Sequence, residues 1–273
     1  MSRSVQVILG SLLALSLLCP SVSMAETLSI PGTGDGTAVL KAIGAAFSQQ
    51  HPNVRIEVPK STTENGGIKG SGGGVKAAGT GRAIIARVAR GIKDKEKHFG
   101  LTYTPYANIP AVFFTSQDVP IEYLSSEQIC AIYSGKVTNW KEVGGPDLEI
   151  RVIRREDGDS TLKVLQKSFP GFGDIKISDS ALLARNTPEI FRLMHEKNRA
   201  IGFGPYDVAK SADVRIIKVD GRDPTFSGYP SHTTLGFVYQ EKALTDTAKK
   251  FLEFATSKNA NLPIIVAGGI PLK

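Results

Sequence analysis

The chain is poor in the residues that metal and redox chemistry need. Cysteine occurs twice and tryptophan once in 273 residues. Two cysteines exclude a disulfide-stapled miniprotein. The four histidines, His51, His98, His195 and His232, show no HExxH or other metal-ligand spacing and read as surface or packing residues. No GxxxxGK[ST] run is present, so the glycines do not form a nucleotide P-loop. Gly158-Asp159-Ser160-Thr161-Leu162 lacks the second glycine of a nucleophile elbow. Lys and Arg never run longer than two, and no zinc-finger spacing occurs, so nothing points to nucleic acid. Beyond residue 25 no apolar run approaches the roughly 20 residues of a bilayer span.

What is present is an ordinary folding composition, 41% hydrophobic and 22% charged. It excludes collagen-like and wholly disordered chains and suffices for one large domain or two smaller ones. Arg3 followed by the apolar run Val5 to Leu18, with Ser23 and Ala25 at small-residue positions, predicts a secretory signal peptide over residues 1–25. The mature protein is then expected outside the cytoplasm, in the periplasm. Loss of Arg3 lowers the net charge from +7 to +6, which suits an anionic ligand. Loss of Cys19 leaves Cys130 alone, in an apolar helical context that predicts a buried structural thiol.

Short β-like runs alternate with helical stretches along the remaining chain, which predicts an α/β fold with largely parallel sheets. Leu28 to Ile30, Val54 to Val58, Ile84 to Ala86, Ala111 to Phe114, Ile150 to Ile153, Ala200 to Phe203 and Leu235 to Tyr239 read as strands. Ala38 to Phe47 places Val39, Leu40, Ile43 and Phe47 on one helical face. Ser125 and Gln128 form a capping box. Thr187 reads as an N-cap before Pro188, and Thr245 as the cap of a final helix. If there are two lobes, the absence of a Pro/Ser-rich linker predicts that the chain crosses between them on strands.

Two strand-to-helix loops share one chemistry: Gly32-Thr33-Gly34-Asp35-Gly36-Thr37, and Arg155 through Thr161. Glycines let backbone N–H groups approach a ligand, and a helix N-terminus adds unpaired donors and partial positive charge. Ser and Thr add hydroxyls, and Arg155 adds a planar fork for oxyanions. Two such loops, one per lobe, would clamp a small oxyanion; the alternative is two ordinary capped turns. Gly70-Ser71-Gly72-Gly73-Gly74 offers a third helix N-terminus or a flexible surface loop.

At these residues the chain resembles the periplasmic phosphate-binding proteins of ABC importers. Ser134-Gly135-Lys136-Val137-Thr138-Asn139-Trp140-Lys141-Glu142-Val143-Gly144-Gly145 is similar to that family's "SGKITNWKDVGG", and Arg155-Glu156-Asp157-Gly158 to its "REDGSGT". Gly70-Ser71-Gly72-Gly73 and Ala200-Ile201-Gly202-Phe203 resemble its "GSSGG" and "GAIGY". The resemblance implies a two-lobed type II periplasmic-binding-protein clamshell. Lobe I would comprise residues 26–110 plus 234–273, and lobe II residues 111–233. The implied ligand contacts are Gly36, Thr37, Ser71, Arg155, Asp159, Ser160 and Thr161, with Asp157 orienting Arg155.

The implied function is capture of phosphate or a related oxyanion by a monomer and delivery to the membrane permease of an ABC importer. That reading involves no catalysis and no cofactor. The alternative is a ligand-sensing or signalling protein on the same fold with a diverged ligand. This chain departs from the family pattern at Ala89-Arg90, Asp159 and Ser160, where the family has Ser-Arg or Ser-Asp, Ser and Gly. A carboxylate in the site accepts the proton of hydrogen phosphate and repels sulfate, which has none to give. The expectation is that Asp159 takes this acceptor role.

Overall fold

A computed structural model describes residues 26–226 and 228–272. The expected signal peptide and Cys19 lie outside the described residues. In chain order the elements are β1 (Glu26–Ser29), α1 (Thr37–Gln50), β2 (Val54–Glu57), α2 (Gly70–Gly79), β3 (Ile85–Val88), β4 (Thr102–Thr115) and β5 (Tyr123–Leu124). Next come α3 (Ser126–Tyr133), β6 (Arg151–Arg155), α4 (Ser160–Ser168), β7 (Leu182–Ala184), α5 (Thr187–Glu196), β8 (Ala200–Pro205) and α6 (Tyr206–Ala209). The chain ends with β9 (Arg215–Ile216), β10 (Lys218–Val219), β11 (His232–Tyr239), α7 (Asp246–Ala255), α8 (Asn261–Val266) and β12 (Ile270–Pro271).

The large sheet has the order β3-β11-β4-β8-β6-β7, with β9 and β12 also pairing β4. Its centre is antiparallel: β11 against β3 and β4, and β4 against β8. Only the β6–β8 and β6–β7 pairs of this sheet are parallel, so the expectation of largely parallel sheets is corrected to a mixed sheet. The reason lies in β4, which serves both halves of the molecule. Thr102 to Pro110 pair with β11, and Ala111 to Thr115 pair with β8. Its buried residues divide in the same way. Tyr106, Ala107 and Ile109 join a core with Leu40, Phe47, Phe237 and Phe251. Ala111 to Phe114 join a second core with Tyr133, Trp140, Phe172 and Phe203. The chain returns from Tyr229 in the second core to Leu235 in the first along β11. A strand leaving one core and a strand returning to it run in opposite directions, which makes their pairing antiparallel. The fold is α/β and two-lobed, with β4 and β11 as the crossing strands.

Several local signals behave as their chemistry requires. Ser125 and Gln128 make both hydrogen bonds of the capping box at α3. Thr245 caps α7 through the Ala248 N–H, although α7 is followed by α8 rather than ending the chain. At α5 the cap is Asn186, whose side chain accepts from the Glu189 N–H, so Thr187 and Pro188 sit inside the first turn. The Gly70 stretch is a ten-residue helix, not a flexible loop. It survives three interior glycines, Gly72, Gly73 and Gly74, by packing: a Cβ on Gly74 would stand 3.0 Å from the Arg87 carbonyl oxygen. The Trp140 motif builds core, not cleft. Trp140 is fully buried and its Nε1–H donates to the Arg199 carbonyl at 3.1 Å.

Candidate functional site

The loops that end β1, β3 and β6 converge on one cleft of about 1060 Å³. One wall carries Thr33, Asp35, Ser71 and Arg90; the other carries Arg155, Asp159, Ser160 and Lys163. The walls touch at the floor, where the Ser160 hydroxyl donates to Asp35 Oδ2 at 2.8 Å. Thr33 also donates to that oxygen, at 3.2 Å, so the bonds Asp35 accepts from side chains end on Oδ2.

Four of the seven residues implied as contacts line this cleft: Ser71, Arg155, Asp159 and Ser160. Ser71 sits in the first turn of α2, and its Oγ accepts the Ala89 N–H at 3.0 Å, which leaves the hydroxyl proton to donate into the cleft. Ser160 opens α4, so its N–H and that of Thr161 have no acceptor within the helix. The Thr161 side chain itself is buried and stands off the cleft wall. Gly36 and Thr37 are also off the wall. Gly36 caps α1 in the left-handed region (φ 66°), and a Cβ there would meet Leu235 Cδ1. The Thr37 hydroxyl is turned back on the Gly34 carbonyl at 2.7 Å. Their loop presents Thr33 and Asp35 instead.

Arg155 is 4% exposed and tightly held. Its Nε and Nη2 bond Glu156 at 3.0 and 3.2 Å, Nη1 bonds Thr187 Oγ1 at 3.0 Å, and Nη2 pairs with Asp159 at 2.8 Å. Asp157, expected to orient Arg155, pairs with Arg154 and is exposed, so Glu156 and Asp159 do that work. An exposed carboxylate three residues from Arg154 pairs with the side chain on its own outer face, whereas Arg155 points inward.

Asp159 is likewise committed. Oδ1 accepts the Leu162 N–H at 2.8 Å as the N-cap of α4, and Oδ2 holds Arg155. Burial pushes its carboxyl above the usual range despite the nearby guanidinium. An acceptor free for a ligand proton is therefore to be sought at Asp35, which stands on the opposite wall and was legible only as one residue of a glycine loop.

Beneath the first wall, Arg87 is fully buried on β3 with no carboxylate in ion-pair range among the described residues. Its guanidinium donates to the Thr33 and Pro59 carbonyls, and Nη1 is left without a hydrogen-bond partner. Burial lowers its pKa. Asp207 on α6 is buried with Oδ1 unpartnered, and burial followed by the charge of Asp35 pushes its carboxyl up to about 6. His232, expected on the surface or in packing, lines the cleft from β11, and burial lowers its pKa. Cys130 is a half-buried free thiol whose pKa burial raises, and its Sγ–H donates to the Pro170 carbonyl at 3.4 Å. No helix among the described residues is long and apolar enough to cross a membrane.

The model of the PBP superfamily domain matches residues 21–259. The chain belongs to this family. Among curated relatives, the phosphate-binding protein PstS of Borreliella burgdorferi is 23% identical over 266 residues, covering 92% of each chain. PstS of Bacillus subtilis is 22% identical, covering 89% of this chain and 79% of its own. Among solved structures, a protein of Clostridium perfringens assigned as a phosphate ABC transporter substrate-binding protein, with bound phosphate, superposes with a TM-score of 0.74. It is 29% identical and covers 91% of this chain and all of its own. An ABC-type phosphate transport receptor from Vibrio cholerae shares the fold, with a TM-score of 0.63 at 23% identity over 90% of this chain and 99% of its own.

Proposed function

We propose that this member of the PBP superfamily is an exported, monomeric solute-binding protein that captures phosphate between its lobes and delivers it to the membrane permease of an ABC importer. The observation that carries this reading is the Ser160–Asp35 bond. It joins two strand-to-helix loops of opposite walls in a cleft lined with hydroxyl and backbone donors. The names of the relatives support the ligand, and none of those named supports the ligand-sensing alternative. The lobes that close are residues 26–110 with 234–273, and 111–233. No bond is made or broken; closure removes water and strengthens each donor contact.

In this reading the Ser71 hydroxyl and the first N–H groups of α4, that of Ser160 included, donate to the oxyanion, while the Ser160 hydroxyl stays on Asp35. Arg155, neutralised by Glu156 and Asp159, holds Asp159 and with it the N-terminus of α4 in place. Asp35, on the wall opposite Arg155, accepts the proton of hydrogen phosphate and repels sulfate. The test is a calorimetric titration of the ligand-stripped protein with phosphate, with sulfate as control. Micromolar or tighter phosphate binding with sulfate silent is the expected result; no heat with either anion refutes the reading.

A further inference from the structure

The size and charge of the cleft exceed what a single oxyanion uses. Its walls already meet at the Ser160–Asp35 bond of 2.8 Å, yet about 1060 Å³ remains between them. That is the scale of a pocket for a ligand of many atoms, roughly 300–1,000 Å³. The unpaired positive charge lies on other residues of the walls. Both arginines on the walls are neutralised, Arg155 by Glu156 and Asp159 and Arg90 by Glu96 at 2.8 Å. Among the described residues that line the cleft, the lysines, Lys93 and Lys95 on one wall and Lys163 and Lys167 on the other, have no ion-pair partner. Lys163 and Lys167 lie one turn apart on α4 and share a face. All four are exposed.

A phosphoryl group at Ser71 and Ser160 therefore shares its cleft with vacant volume and with lysines on both walls that have no ion pair. We infer that the cleft takes a condensed phosphate, a chain of two or three phosphoryl groups, with the first at the Ser71–Ser160 floor and the next between the lysine pairs. This rests on the phosphate reading above and specifies its ligand class. Binding is non-covalent, and each added phosphoryl group brings negative charge to ammonium groups that have no carboxylate within ion-pair range among the described residues; Lys163 Nζ meets only the Gly158 carbonyl, at 3.2 Å.

The test is calorimetric titration with monophosphate, diphosphate and triphosphate at low and moderate salt. Three proteins are compared: the wild type, the double variant Lys95→Ala/Lys167→Ala, and the control Lys41→Ala/Lys250→Ala, whose lysines are off the cleft walls. One ion pair in water at 4 Å corresponds to about a fivefold change in affinity. The inference expects diphosphate to bind at least about tenfold tighter than monophosphate, one per chain, with the excess shrinking as salt rises. The cleft double variant should lose that excess and keep monophosphate affinity; the control should change neither. Monophosphate binding with diphosphate equal or weaker overturns this inference and leaves the phosphate reading intact. Diphosphate binding without monophosphate binding supports this inference and revises that reading. Silence with all three anions overturns both, and an excess that the cleft variant retains overturns the lysine assignment.

Discussion

Replacing Asp159 separates the helix cap from the ion pair and both from ligand choice. Asp159→Ala removes the cap at the Leu162 N–H, worth about 1 kcal/mol. It also removes one partner of Arg155, which is 4% exposed. Breaking a buried pair typically costs about 3–5 kcal/mol when the other charge is left alone. Here Arg155 keeps Glu156 and Thr187, so the loss falls to about 1–2 kcal/mol, and the expected total is about 2–3 kcal/mol. Asp159→Asn keeps the cap, because asparagine caps as well as aspartate, and should cost only the pair term of about 1–2 kcal/mol. Urea unfolding of the two variants should thus differ by about 1 kcal/mol at constant m-value. The ratio of phosphate to sulfate affinity should stay at its wild-type value in Asp159→Asn. It should fall about tenfold or more in Asp35→Asn, which loses a hydrogen bond to a charged acceptor worth about 1.5–3 kcal/mol. A ratio that collapses in Asp159→Asn and survives in Asp35→Asn would refute the assignment of Asp35 as the acceptor.

Other consequences follow from individual residues. Asp207 is raised from 3.8 to about 6, so the folded state holds its proton more tightly than the unfolded chain. Its favourable contribution is complete below pH 4 and lost as pH rises through about 6. Asp207→Asn should therefore raise stability at pH 7.5 by at most about 3 kcal/mol and by little at pH 4, read from urea midpoints at both pH values; an equal gain at both would show that ionisation is not the cause. Gly36→Ala forces a left-handed residue with its Cβ against Leu235, and should cost about 2–3 kcal/mol in unfolding free energy, whereas Gly81→Ala, left-handed in open space, should cost about 1–2. Trp140 is the sole tryptophan and fully buried, so native emission should be blue-shifted and should move red in a single step on unfolding. Trp140→Ala should destabilise by about 3–5 kcal/mol without changing the phosphate-to-sulfate ratio, since the side chain stands outside the cleft.

What could be read in the sequence was whatever depends on neighbours along the chain. The amphipathic face of α1, the capping box at α3, the Thr245 cap and the strand-to-helix loops are local hydrogen-bond and periodicity effects, and they are visible in residues three or four apart. The Ser134–Gly145 and Arg155–Gly158 motifs pointed to the family for the same reason: they are contiguous.

The tertiary structure decided what lies between distant residues. Arg155 and Asp159 are four residues apart across a strand-to-helix turn, yet burial determines that Asp159 spends both oxygens on the cap and the guanidinium rather than on a ligand. Asp35 and Ser160 are 125 positions apart, and their bond exists only because β4 and β11 carry the chain across and bring two loops face to face. The same crossing makes the central sheet antiparallel, against the parallel pattern that alternating strands and helices suggest. Local propensity shapes a loop, but packing of the two cores selects which of its side chains faces the cleft.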